Sequence, residues 1–139
     1  HWYMKFSLIS STKKHLDLDN VIWVTLPTPT GEIGIYPGHT PLVGALKPGI
    51  LKVDTNDGVQ TFAIGGGVFE TDGTHLEVLA DMVDTGEEAT AEDVAKKKQE
   101  ASKLMQEAEK KWTLDANAYI QAEQEFLKAS ALEQLVHHK

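Results

Sequence analysis

Apolar positions recur along this chain in two different rhythms. Up to about residue 84, short runs rich in Val, Ile and Thr alternate with turn residues. Val21-Ile22-Trp23-Val24-Thr25-Leu26 and Ile50-Leu51-Lys52-Val53 read as strands, and Val59-Gln60-Thr61-Phe62-Ala63-Ile64 as a third with period-two alternation. Asn56-Asp57-Gly58 between the last two is a strong hairpin signal. His75-Leu76-Glu77-Val78-Leu79 follows a second turn, Asp72-Gly73-Thr74. The pattern predicts a β-sandwich of about ten short strands over residues 1–85. Trp23, inside an apolar run, is expected in its core.

Beyond Gly86 the rhythm changes. Residues 87–139 contain no Gly and no Pro, and Ala, Glu, Lys, Gln and Leu dominate. Thr90-Ala91-Glu92-Asp93 has the form of a helix N-cap with an acidic third residue. A first helix is predicted from about Ala91 to Ala108, with Val94, Ala101, Leu104, Met105 and Ala108 on its apolar stripe. Trp112-Thr113-Leu114-Asp115 is expected to turn the chain. Tyr119, Ala122, Phe126 and Ala129, extended by Leu132, Leu135 and Val136, mark a second helix. Facing alanines let antiparallel helices approach closely, so residues 86–139 read as a helical hairpin. Such a hairpin has little core of its own and must rest on the sandwich or on a partner. Helix propensity alone does not hold it, which makes it a candidate mobile element.

Composition narrows the function. All thirteen basic residues are lysine and the net charge is −8. That argues against nucleic acid as a partner, because phosphate binding needs a basic face. Without arginine, a nucleotide site has to rely on lysine or backbone groups. The absence of cysteine excludes disulfides and thiolate metal sites within these residues. No apolar run reaches the ~18 residues a membrane helix needs. No secretory leader is visible, and His1-Trp2-Tyr3 ahead of Met4 are expected to carry no function.

Pro37-Gly38 and Pro48-Gly49 read as turns, with Pro presetting φ at one corner and Gly accepting positive φ at the next. Gly65-Gly66-Gly67 reads as a bulge or a close backbone approach; it lacks the spacing of a phosphate loop. His15, Asp17, Asp19 and Asn20 are expected in a polar turn, since the run lacks the glycine and distal glutamate of a calcium loop. Lys96-Lys97-Lys98 reads as a solvated helix face with pairs such as Lys96 to Glu100. No serine-histidine-aspartate grouping, phosphate loop or zinc-helix motif is present, so neither catalytic residues nor metal ligands are assigned.

Gly31-Glu32-Ile33-Gly34-Ile35-Tyr36-Pro37-Gly38-His39-Thr40-Pro41-Leu42, continued by Leu46-Lys47-Pro48-Gly49, resembles the G-E-x-G-I-x-P-G-H-x-P-L…L-x-P-G pattern of the epsilon subunits of F-type ATP synthases. Gly65-Gly66-Gly67-Val68-Phe69-Glu70 is similar to that family's G-G-x-x-E, and Val78-Leu79-Ala80-Asp81 matches the stretch before its helices. The resemblance implies a non-catalytic rotor subunit at the foot of the central stalk. Its sandwich would pack on the gamma subunit and on the ring of c subunits. Its place would be peripheral on the cytoplasmic face of the bacterial inner membrane, without insertion. Glu32, Tyr36 and His39 are carried over as ring contacts. The hairpin, folded on the sandwich or extended toward the alpha and beta subunits of the catalytic head, would restrain ATP hydrolysis.

Some bacterial members bind ATP through [IL]-D-x-x-R-A at the start of the first helix. Counted without gaps, that motif falls on Ala89-Thr90-Ala91-Glu92-Asp93-Val94. Thr90 can cap the helix, but Asp93 stands where the arginine belongs, and an acid repels a triphosphate. Only a shifted alignment brings Lys97 near that position. Weak or absent ATP binding, and no cofactor, is therefore expected. The rival readings are a nucleotide-sensing module whose hairpin binds ATP, and a carbohydrate-type sandwich, which would display exposed aromatics.

Overall fold

The computed structural model describes residues 2–110 and 116–137. Seven strands precede two helices: β1 (Met4–Ile9), β2 (Lys14–Thr28), β3 (Gly31–Ile35), β4 (Leu42–Thr55), β5 (Gly58–Thr71), β6 (His75–Ala80), β7 (Val83–Asp84), α1 (Ala91–Lys110) and α2 (Ala116–His137). The sandwich-then-hairpin division expected from the sequence is the architecture observed. The strands are fewer and longer than the ten short ones predicted, because β2, β4 and β5 each run 14 or 15 residues.

Hydrogen bonding explains the difference. Pro48-Gly49 does not end a strand: Pro48 and Gly49 stay in register with Gly65 and Ile64 on β5, so β4 passes through. Gly65-Gly66-Gly67 likewise lies within β5 as a kink. Gly67 takes φ 146°, and a Cβ there would stand 1.9 Å from the Leu79 carbonyl oxygen, so β6 closes against bare backbone. The close approach predicted for this run is present.

Order β1-β6-β5-β4-β2, with β1 also pairing β2, closes the ladder on itself. β3 hangs on β2 as an open edge and β7 on β5. Closure leaves few exposed edges. The inward positions form the core, including Phe6, Leu8, Val24, Leu26, Leu51, Val53, Ile64 and Val78. His15, Asp17, Asp19 and Asn20 sit inside β2 and not in a turn. Their run alternates with Leu16 and Leu18, which pack on the core, and pairs with β1.

Helix α1 starts where the capping pattern places it: the Asp93 amide donates to Thr90 Oγ1 at 3.1 Å. Ala101 and Ala108 of α1 and Ala122 and Ala129 of α2 are buried, the small-residue seam expected between the helices. Leu104 departs from the predicted stripe; it lies on the flank of the seam and is exposed. The expected turn at Trp112–Asp115 lies outside the described residues. None of the described helices is long and apolar enough to cross a membrane.

Candidate functional site

Among the described residues no group of three or more His, Asp or Glu could hold a metal ion; three surfaces and one seat stand out instead. The seat holds the hairpin. Leu132, Leu135 and Ala131 of α2, with Val94 of α1, pack on Ala63 of β5, and Ile50 of β4 borders the cluster. Burying a leucine side chain is worth roughly 1.5–3 kcal/mol. A handful of such side chains, offset by the ordering of two helices, holds the hairpin on the sandwich. Lys98, third of the lysine run, pairs with Glu133 at 3.0 Å and lies 5.5 Å from the Phe126 ring centroid. Lys96 and Lys97 are exposed, as expected of a solvated helix face, and Lys98 alone of the run reaches across to α2.

The first surface follows β3. Period-two alternation sets Glu32, Gly34 and Tyr36 on its exposed side, while Ile35 is buried in the core. Four residues of strand separate Glu32 from Tyr36 by about 13 Å. Past Tyr36 the chain turns at Pro37-Gly38, where the His39 amide donates to the Tyr36 carbonyl at 3.0 Å and Gly38 takes φ 85°. That is the type II turn the dipeptide predicts. His39 is half-buried, and its Nδ1 donates to the Thr40 carbonyl at 2.7 Å. The Gly38 amide donates to the Gly73 carbonyl at 2.7 Å, tying this turn to the β5–β6 turn. In that second turn, Asp72 Oδ1 accepts from the Thr74 and His75 amides, and these bonds hold its carboxyl below the usual range. The structure thus places Glu32 and Tyr36 along one face and His39 at its end.

Residues given no function by the sequence also lie here. The Trp2 ring lies 3.3 Å from where a Cβ on Gly38 would stand, and Tyr3 Oη accepts from Asn56 at 2.5 Å. Trp23 is not in the core. A register shift between Val21 and Trp23 turns its ring outward, where it meets Tyr36 edge-on at 5.2 Å between centroids. The period-two signal that reveals this is broken by the shift.

The second surface is aliphatic. Ala45, Val68 and Leu79 lie side by side across β4, β5 and β6, with Ile9 of β1 next in the row. Val43 stands in the next row, which it shares with Glu70 and Glu77, so carboxylates border the aliphatic row. Val43, Val68 and Leu79 are 70%, 49% and 46% exposed. These positions alternate with the core residues Leu46, Phe69 and Val78, so the apolar character is not needed to fill the interior.

The third surface is an open cleft of about 810 Å3 between the sandwich and α1. It contains Asp93 and Lys97, while Thr90 caps the helix beside it. Lys13, Lys96 and Lys97 face five carboxylates there, Asp84, Glu87, Glu88, Asp93 and Glu100. Negative charge dominates the cleft.

Residues 3–86 match the model of the β-sandwich domain of the ATP synthase delta/epsilon chain. The chain is 37% identical over 87 residues to the ATP synthase epsilon chain of Delftia acidovorans, a match spanning 62% of this chain and 63% of that one, just under two thirds of its length. It is 32% identical over 119 residues to the epsilon chain of Gloeothece citriformis, covering 81% of this chain and 85% of that one. Among solved structures it is similar to a chain of the Euglena gracilis mitochondrial ATP synthase, in a cryo-EM structure of OSCP, F1 and c-ring: TM-score 0.80, 26% identity, 97% of this chain and 82% of that one. A chain of the Tetrahymena thermophila mitochondrial ATP synthase central stalk and c-ring shares the fold, with TM-score 0.62 at 14% identity and 96% of each chain covered. On the sandwich match and the Gloeothece relative, this chain belongs to the ATP synthase delta/epsilon chain family.

Proposed function

We propose that this chain is a non-catalytic rotor subunit of a proton-translocating ATP synthase. Its sandwich joins the gamma subunit to the ring of c subunits, and its hairpin restrains ATP hydrolysis when it leaves its seat and meets the alpha and beta subunits. It is peripheral on the membrane-bound complex, on the side of the catalytic head, which is the cytoplasmic side in bacteria. One observation carries this reading: the row Ala45–Val68–Leu79, with Val43, exposes aliphatic side chains that the interior does not use, on a chain whose family works in an assembly. That face is the proposed gamma contact, and the exposed edge from Glu32 through Tyr36 to His39 the proposed ring contact. ATP binding in the acidic cleft is weak or absent on this reading, and no cofactor is used.

The test is co-elution with purified gamma. Val68→Asp and Leu79→Asp place charges on the exposed row and leave the core untouched. Their melting temperatures should stay near that of the unaltered chain while co-elution is lost. Retained co-elution in both variants would refute the assignment of this face.

A further inference from the structure

We infer that the outer row Tyr36–Trp23–Asp54–Val59 is a recognition site for an arginine side chain of a protein docked along the β3 edge. The row is set by pairing: Trp23 lies opposite Asp54 between β2 and β4, and Asp54 opposite Val59 between β4 and β5. Directly opposed residues in antiparallel strands point to the same side, with Cβ atoms roughly 5 Å apart. Val24 and Val53, their neighbours, fill the core, so this row faces outward. Tyr36 joins it through the edge contact with Trp23, at an interplanar angle of 73°. Helix α2 covers the other half of this sheet face, over Ile50 and Ala63, and leaves the row open.

The chemistry of the row is unusual in one respect. Asp54 Oδ2 is shielded from solvent and has no hydrogen-bond partner, alone in this among side-chain polar atoms of the described residues. A shielded acceptor without a donor is costly, and a partner that supplies a charged donor recovers that cost. On the paired strands Trp23, 36% exposed, and the exposed Val59 flank Asp54 directly, and Tyr36, 50% exposed, stands beyond Trp23. A guanidinium suits such a place: it donates to a carboxylate through a planar fork and stacks on aromatic faces, and it sheds water more readily than an ammonium. Reaching Oδ2 requires an exposed side chain to turn aside, a motion that surface rotamers make in picoseconds to nanoseconds. The chain has no arginine of its own to fill the site. Trp, Tyr and Arg are also the residues that dominate interface energetics.

The inference rests on the proposed docking of a partner along β3, and its test separates the two. The intact chain is titrated with the tripeptides Gly-Arg-Gly, Gly-Lys-Gly and Gly-citrulline-Gly while the Trp23 indole N–H resonance is followed, identified by its loss in Trp23→Phe. The arginine peptide should shift it saturably, the lysine peptide should bind more weakly, and the citrulline peptide should leave it unmoved. Asp54→Asn should weaken the arginine response roughly tenfold. Tyr36→Ala, at an exposed position, should also weaken it and serves if Asp54→Asn fails to fold. No saturable arginine response, equal binding of the lysine or citrulline peptide, or full affinity in the variants would overturn the site. Co-elution with gamma and the ring is measured alongside. Assembly without an arginine response removes this site alone; an arginine response without assembly removes the docking reading alone.

Discussion

Leu135, near the end of α2, closes over Gly86: its Cδ2 lies 3.1 Å from where a Cβ on Gly86 would stand. Gly86 takes φ 76°, and its amide donates to Asp84 Oδ1 at 2.7 Å, so the junction between sandwich and hairpin is a tight bend whose inner side is filled by the docked helix. Gly86→Ala therefore both strains the bend and presses on Leu135. The expected outcome is a loss of about 1–2 kcal/mol from hairpin docking with the sandwich intact. Hydrogen exchange of α2 amides should quicken while core strands such as β1 keep their protection.

Gly67 is the opposite case, a glycine whose replacement reaches the sandwich itself. A methyl at 67 collides with the Leu79 carbonyl at 1.9 Å, and backbone cannot yield as a side chain does. Gly67→Ala should cost about 2–4 kcal/mol of global stability, read as a lower denaturant midpoint.

Both glycines show how much the sequence disclosed. The change from strands to helices is legible because Gly and Pro stop at Gly86 and helix formers take over. The motif Gly31–Leu42 pointed to the family, and the turn at Pro37-Gly38 followed from its residues. Pro48-Gly49 misled, because local turn chemistry says nothing about a partner strand that keeps its register through Gly65. Trp23 misled for a related reason: a register shift moves a side chain to the other face and leaves no mark in one strand's own pattern. Glu32 and Tyr36 share a face because of strand alternation, which is legible; the placing of Asp54 opposite Trp23 comes from pairing across β2 and β4, which is not.

Lys98 and Glu133 clamp the hairpin from outside. Both side chains are about one third exposed or less, at 35% and 26%, and the Phe126 ring shields one side of the pair. A double-mutant cycle with Lys98→Met and Glu133→Gln should give a coupling of about 0.5–1 kcal/mol. It should shrink in 1 M salt, because partial exposure leaves the pair open to screening.

His15 adds a small acid sensitivity. Burial, and then the nearby Lys13 charge, hold its imidazole below the ordinary value of 6.5. The folded state then binds a proton less readily than the unfolded chain, so this contribution is present above about pH 6.5 and is lost as pH falls through the folded value. His15 Nε2 bonds Ser10 Oγ at 2.7 Å, which Gln can replace in part. His15→Gln should flatten the dependence of melting temperature on pH on the acid side of 6.5 and leave it unchanged at pH 8.

On the proposed function, the sandwich docks through its aliphatic face and the hairpin restrains the motor. Steady-state ATP hydrolysis by a catalytic head carrying gamma, measured as this chain is added, tests it most directly. The expected result is saturable inhibition that Val68→Asp abolishes and that Gly86→Ala strengthens by releasing the hairpin. A rate that stays unchanged at saturating chain, with no co-elution with the head, would contradict it.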